Sequence, residues 1–427
     1  TYSMSYLSRW SIAAREPPLT RTERSSCLGQ DGSRLRNRSI MNYVASSSAN
    51  RGGGVAIWGQ DLRSLDLVVD RFLEWLSLRD LSQSVQLHLG TTNNRPWVQF
   101  ELVQERFNEW TPEWDTVGLA DRLAKEPVSK GDPLEREILV AMLASPITFE
   151  FPSIEEFESA VLVRKNIVHA ASKTFLSFDA YGAERPEDHW EYDETRGFVV
   201  RPGKSVIDAL RLATQPGETG TVYSFSCYRA TEYVIALGLA EEVRRCNQVL
   251  FEQLQHQAER RAIRSGEFHE VFMKEYGSRQ SPLPAKYYVP GDRVWFRNPD
   301  AASADALGFE GSWVFYLGNG LFTDFWKRNK AFTLELKCLE MYHWRHSTYR
   351  GDDGDLRMDE AKVQSHMRAT EQNPEELARI MERMYRMQDS RGVYADGGCI
   401  DPSREYPRWV RPETTDIRLP DAVSAIA

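Results

Sequence analysis

The sequence predicts a protein of mixed α and β structure, and three observations carry that expectation. Apolar residues recur at helical spacing in Leu62, Leu65, Val69, Phe72 and Leu76, and again in Ile154, Phe157, Val161, Ile167 and Val168. Gly318-Asn319-Gly320 separates two short apolar runs, Trp313–Leu317 and Leu321–Trp326, which is the chemistry of a β-hairpin. Upstream, Tyr287-Tyr288-Val289-Pro290-Gly291-Asp292 reads as a turn feeding a further strand, Arg293-Val294-Trp295-Phe296.

The first 54 residues are rich in Arg, Ser and Gly, bury little, and are expected to form a flexible or extended arm. Residues 55–132 follow as a mixed extension that contains the helix through Leu62 and Leu76. Within it, Pro96–Trp114 is expected to be a strand leading into a loop, its aromatics filling a core. Residues 133–350 hold the main mixed α and β domain. A helix is expected over Leu134–Leu143, and another starts after Ser153, with Glu156 at capping-box spacing. Residues 351–427 contain one helix after Asn373-Pro374, with Leu377, Ile380, Met381, Met384 and Met387 on one packing face. The closing segment, punctuated by Pro402, Pro407, Pro412 and Pro420, reads as an extended wrap or mobile tail. No internal repeat is visible.

With 427 residues, 41% hydrophobic and 27% charged, the chain can bury a substantial core and more than one structural unit. A net charge of −9 argues against nucleic acid or an anionic membrane as partner. Cys27, Cys227, Cys246, Cys338 and Cys399 are an odd set without CxxC spacing or paired histidines. Neither a disulfide framework, a metal site nor a cofactor is expected, and a soluble protein of the cytoplasm or another reducing compartment fits. No apolar run approaches the roughly 18 residues of a membrane span. The N-terminus lacks the basic-then-apolar order of a signal peptide, which leaves export by another route open. Composition does not fix the oligomeric state.

Cys227 lies where the apolar run Val222–Phe225 passes into a helical pattern. A thiol in the first turn of a helix feels unpaired backbone N–H groups that favour the thiolate, so Cys227 is the candidate nucleophile. The alternative is an unreactive cysteine retained as a small apolar side chain. Cys246 and Cys338 lie on helical patterns and read as packing residues.

Five separated stretches are similar to the small bacterial transglutaminases associated with spore coats. They are Ser145–Phe151, Arg164–Lys173, Tyr223–Cys227, Gly291–Asp300 and Phe309–Gly318. The family is a papain-like group that crosslinks protein glutamine and lysine side chains. The resemblance implies an α+β fold with the nucleophile helix packed on a small antiparallel sheet. It also implies a protein or peptide substrate, and a thioester on Cys227 that an amine or water resolves.

That chemistry needs groups that move protons, and at three family positions this chain departs. The resemblance puts a catalytic Glu where Ser312 stands and a catalytic His, read without gaps, at Phe325. The acidic residue that can precede the nucleophile is replaced by Ser226. Glu310, two residues before Ser312 on the same strand face, is one candidate replacement. Asp324, beside Phe325, is a second, and His169 in the helical block Asn166–Lys173 is a third. Two functions therefore stand side by side. One is a divergent acyltransferase or glutamine deamidase with a relocated base; the other is an inactive binding or structural module that keeps the fold.

Overall fold

The computed structural model describes residues 52–126, 131–179, 182–327, 331–388 and 397–420. The arm expected over residues 1–54 therefore lies almost wholly outside the described residues, as do Cys27 and the end of the tail. The architecture is α+β. Among the described residues no helix is long and apolar enough to cross a membrane.

The first sheet has four strands in the order Val85–Thr92, Arg95–Leu102, Val55–Trp58, Phe149–Phe151, with only the last pair parallel. It thus joins strands from both sides of residue 133. The expected helix forms over Leu62–Ser77 and is started by Asp61, whose carboxylate accepts from Ser64 N at 2.7 Å. Its buried stripe packs Phe72 on Phe100, with ring centroids 3.9 Å apart, and on Phe157 of the following domain. The Pro96–Trp114 segment corrects the expectation. The strand continues into a helix, Gln104–Trp110, not a loop. Val103 provides no side-chain cap, so the helix start carried no sequence signal.

Ile154–Lys173 is the central helix, and only half of the anticipated capping box is made. Ser153 Oγ accepts from Glu156 N at 3.2 Å, while the Glu156 carboxylate turns away to accept from Val410 N at 2.7 Å and Arg411 N at 3.0 Å. The capping residue thereby clamps the C-terminal tail. Helix Cys227–Cys246 packs against this central helix at Gly238, where an added Cβ would lie 2.8 Å from the backbone nitrogen of Ile167. Only glycine lets the two backbones come this close.

The second sheet has six strands, all antiparallel, in the order Phe332–Thr333, Leu321–Thr323, Gly311–Gly318, Arg293–Arg297, Ser403–Pro407, Met273–Gly277. The hairpin expected around Gly318-Asn319-Gly320 is present, but its second strand ends at Thr323 and not at Trp326. The proline-rich tail is a larger correction. Residues Ser403–Pro407 insert as an inner strand between two strands more than a hundred residues earlier, each proline standing at or beyond the strand's end. The tail helix runs over Pro374–Met384, with Ile380, Met381 and Met384 buried as its stripe requires.

Candidate active site around Cys227

The short strand Ser224–Phe225 delivers the chain to Cys227, which is the first residue of its helix. That strand is fixed by parallel pairing with Ser177–Phe178, and Asp179 N donates to Phe225 O at 3.0 Å. Beneath it, the Arg185 guanidinium lies 3.4 Å over the Phe225 ring and donates to Ser224 O at 3.1 Å. Ser226 occupies the N-cap position without capping through its side chain, so no hydroxyl competes for the first-turn amides.

Three effects set the Cys227 thiol. Burial is the largest and raises its pKa, and the Glu310 carboxylate raises it further by like-charge repulsion of the thiolate. Hydrogen bonding by the backbone amides of Tyr228 and Cys227 acts the other way. Burial and Glu310 win, and the thiol is pushed up to about 11. At neutral pH the resting group is therefore a thiol with a carboxylate near enough to perturb it. Cys246 is pushed up to about 11 as well, by burial and then Glu242, so acidity alone does not single out Cys227.

Glu310 stands immediately before the strand Gly311–Gly318. Its backbone is held by Asn298, whose amide N–H donates to Glu310 O at 3.0 Å and whose side chain donates to Phe309 O at 2.9 Å. Asn298 is fully buried and belongs to the Gly291–Asp300 stretch. That stretch thus positions Glu310.

The other residues singled out from the sequence occupy different surroundings. Ser312 is buried and paired opposite Phe296 in the sheet. Phe325 is buried, with its ring 5.8 Å from that of Phe315 and its carbonyl accepting from Leu176 N at 3.0 Å. Asp324 is paired with Lys337 at 2.8 Å, and Lys337 also holds Glu340 at 2.9 Å. His169 is exposed on the central helix. Beside this set, Arg229, two residues after Cys227, is bound to the buried Glu232 at 2.9 Å.

Sequence reasoning missed an ionic network behind the nucleophile. Arg293, fully buried, is ion-paired with Glu405 of the tail strand and donates to Thr231 Oγ1 at 3.1 Å. Its guanidinium lies 4.9 Å from the ring centroids of both Tyr228 and Trp313. Glu405 also meets His269 Nδ1 at 2.9 Å. Burial works to raise Glu405, but Arg293 and His269 outweigh it and hold the carboxyl at about 2. The network pins the first two turns of the Cys227 helix to the sheet. No local pattern announces it, because Glu405 reaches Arg293 only through the long-range insertion of the tail strand.

A family model described as protein-glutamine gamma-glutamyltransferase matches residues 119–390, more than half of the chain. A protein-glutamine gamma-glutamyltransferase of Halalkalibacterium halodurans is 28% identical over 227 residues, covering 49% of this chain and 69% of that protein. The chain belongs to the protein-glutamine gamma-glutamyltransferase family.

Proposed function

We propose that this protein is a divergent transglutaminase-type acyltransferase in which Cys227 is the nucleophile and Glu310 carries the proton. The observation that supports it is the electrostatic coupling of the Glu310 carboxylate to the Cys227 thiol at the start of a helix. The papain-like part of the reading is the placement of that helix against an antiparallel sheet.

A thiol raised by burial, with the Glu310 carboxylate near enough to raise it further, suits transfer of its proton to that carboxylate as sulfur attacks. Glu310 takes the proton of Cys227 as sulfur attacks the carboxamide carbon of a protein or peptide glutamine. The Cys227 and Tyr228 amides favour the developing negative charge at sulfur. The C–N bond then breaks, the proton leaves on ammonia, and a thioester remains. An incoming amine attacks that thioester while Glu310 accepts its proton; the products are an isopeptide and the free thiol. Water in place of the amine gives glutamate. Asp324 and His169 have no part in this scheme. Residues 133–350 supply the chemistry, and the described residues of 55–132 and 351–420 brace it.

The test is incorporation of a fluorescent primary amine into a glutamine-containing protein. The wild type incorporates label, Cys227→Ala does not, and Glu310→Gln does so far more slowly.

One observation favours the second reading, an inactive binding module: Phe325 is packed into the core where the resemblance would put a histidine. Wild-type protein that neither incorporates amine nor releases ammonia from glutamine peptides would establish that reading.

A further inference from the structure

Cys338 and Cys399 are 61 positions apart in the chain, yet their sulfurs lie 3.4 Å from each other. Both side chains are sealed from solvent. Cys338 belongs to helix Leu334–Trp344, and Cys399 lies between helix Pro374–Met384 and the tail strand Ser403–Pro407. The Cys399 N–H and thiol both donate to Met384 O, at 3.1 and 3.2 Å, and its carbonyl accepts from Arg297 N at 3.1 Å. With the Cys399 hydrogen so used, Cys338 is the donor in the sulfur–sulfur contact. The other two described cysteines, Cys227 and Cys246, begin and end one helix, roughly 28 Å apart, and do not meet.

A disulfide bond is about 2.05 Å long, so the two sulfurs need to approach by only roughly 1.4 Å. A bond here would act where the tail is fixed. Cys399 stands just before the inner strand whose Glu405 is the ion-pair partner of Arg293, behind the nucleophile helix. Joining residues so far apart in sequence also restricts the unfolded chain and favours the folded one.

We propose that Cys338 and Cys399 form a disulfide, with a small-molecule disulfide such as oxidised glutathione as the oxidant, and that the bond fastens the tail strand to helix Leu334–Trp344. One cysteine thiolate attacks a sulfur of oxidised glutathione, giving a mixed disulfide and releasing one glutathione. The second cysteine attacks the protein sulfur of that mixed disulfide, and the protein S–S bond forms as the second glutathione leaves. The two cysteine protons end on the two glutathiones; the cysteines are oxidised and the oxidant is reduced. Burial, and then the contact with Cys399, hold the Cys338 thiol well above its ordinary range. Exchange therefore runs when the tail opens, and the closed bond is shielded from reductant.

The test holds the folded full chain in glutathione buffers of graded oxidised-to-reduced ratio until the linkage no longer changes, with parallel samples in denaturing urea. Acid quenching, alkylation of the remaining thiols and peptide mass spectrometry then read the pairing. The folded samples should yield the linked Cys338 and Cys399 peptides, lighter by two hydrogen atoms than the two thiol peptides, at a ratio at least tenfold more reducing than urea requires. The oxidised protein should melt several degrees above the reduced one, and Cys399→Ala should melt alike in both buffers. Linkage no more favourable in the folded chain than in urea, other pairings in its place, or equal midpoints for oxidised and reduced wild type overturns the proposal. The wild-type comparisons decide the case even where the variant fails to fold.

Discussion

Arg164 Nη1 meets Asp292 Oδ1 at 2.7 Å with both side chains sealed from solvent. The other oxygen of Asp292 accepts from Val289 N at 2.8 Å and from the Tyr276 hydroxyl. Arg164 and Asp292 come from two different stretches that carry the family resemblance, and their meeting is framework, not chemistry: it locks the central helix to the turn that starts the strand Arg293–Arg297. Breaking such a pair from one side leaves a buried charge without compensation. Arg164→Met and Asp292→Asn should each cost about 3–5 kcal/mol, read from the midpoint of urea unfolding. A loss well under about 1 kcal/mol would mean that the remaining charge finds another partner or water.

Glu137 links stability to pH. Burial pushes its carboxyl up to about 7, against hydrogen bonds from Asn319 N and the Tyr316 hydroxyl that favour the ionised form. The unfolded carboxyl titrates near its ordinary 4.5. The folded protein therefore holds the extra proton between these values. The stability contributed by this group is complete below about 4.5 and is lost as pH rises through about 7. Relative to Glu137→Gln, which does not titrate, the wild type should lose about 3 kcal/mol across that window. Parallel stability curves for the two proteins from pH 4 to 8 would show that Glu137 ionises in the fold as it does in water.

How much of this was legible in the sequence varies with the range of the interactions involved. Leu62–Ser77 and Ile154–Lys173 declare themselves because a buried stripe at helical spacing is written locally, and Gly318-Asn319-Gly320 declares its turn for the same reason. Cys227 at a helix start is also local. The tail strand Ser403–Pro407 was hidden because its partners, Met273–Gly277 and Arg293–Arg297, are remote in sequence and its prolines resemble those of a loose segment. The Arg293–Glu405 pair was hidden with it. Helix Gln104–Trp110 is short and uncapped, so its pattern was too brief to read.

Glu310→Gln separates the acidity of the thiol from turnover. Glu310 raises the Cys227 pKa by opposing the thiolate, so neutralising it should lower the midpoint of iodoacetamide alkylation below about 11. The same substitution should reduce amine incorporation by about 10²–10⁴-fold, the usual contribution of general acid–base catalysis. A more reactive thiol in a slower enzyme is the combination that a mere packing role cannot produce. An alkylation profile unchanged from the wild type would remove Glu310 from the neighbourhood of the sulfur, and undiminished turnover would end its role as proton carrier.

Phe325 shows why restoring the family residue at one position should not restore the family site. It is a non-glycine residue with φ of 76°, a left-handed conformation that is costly for a bulky side chain and persists only when its surroundings impose it. Here the surroundings are the ring of Phe315, at 5.8 Å, and the bond from Leu176 N to the Phe325 carbonyl. The side chain is thereby committed to the apolar core. Phe325→His would bury imidazole nitrogens among hydrocarbon, at a cost of about 1–3 kcal/mol when they lack partners. Amine incorporation should not rise above the wild-type level, while the thermal midpoint falls. A gain in turnover, with a pH profile that acquires a group titrating near 6.5, would instead mean that the backbone here rotates freely enough to carry the new side chain to the sulfur.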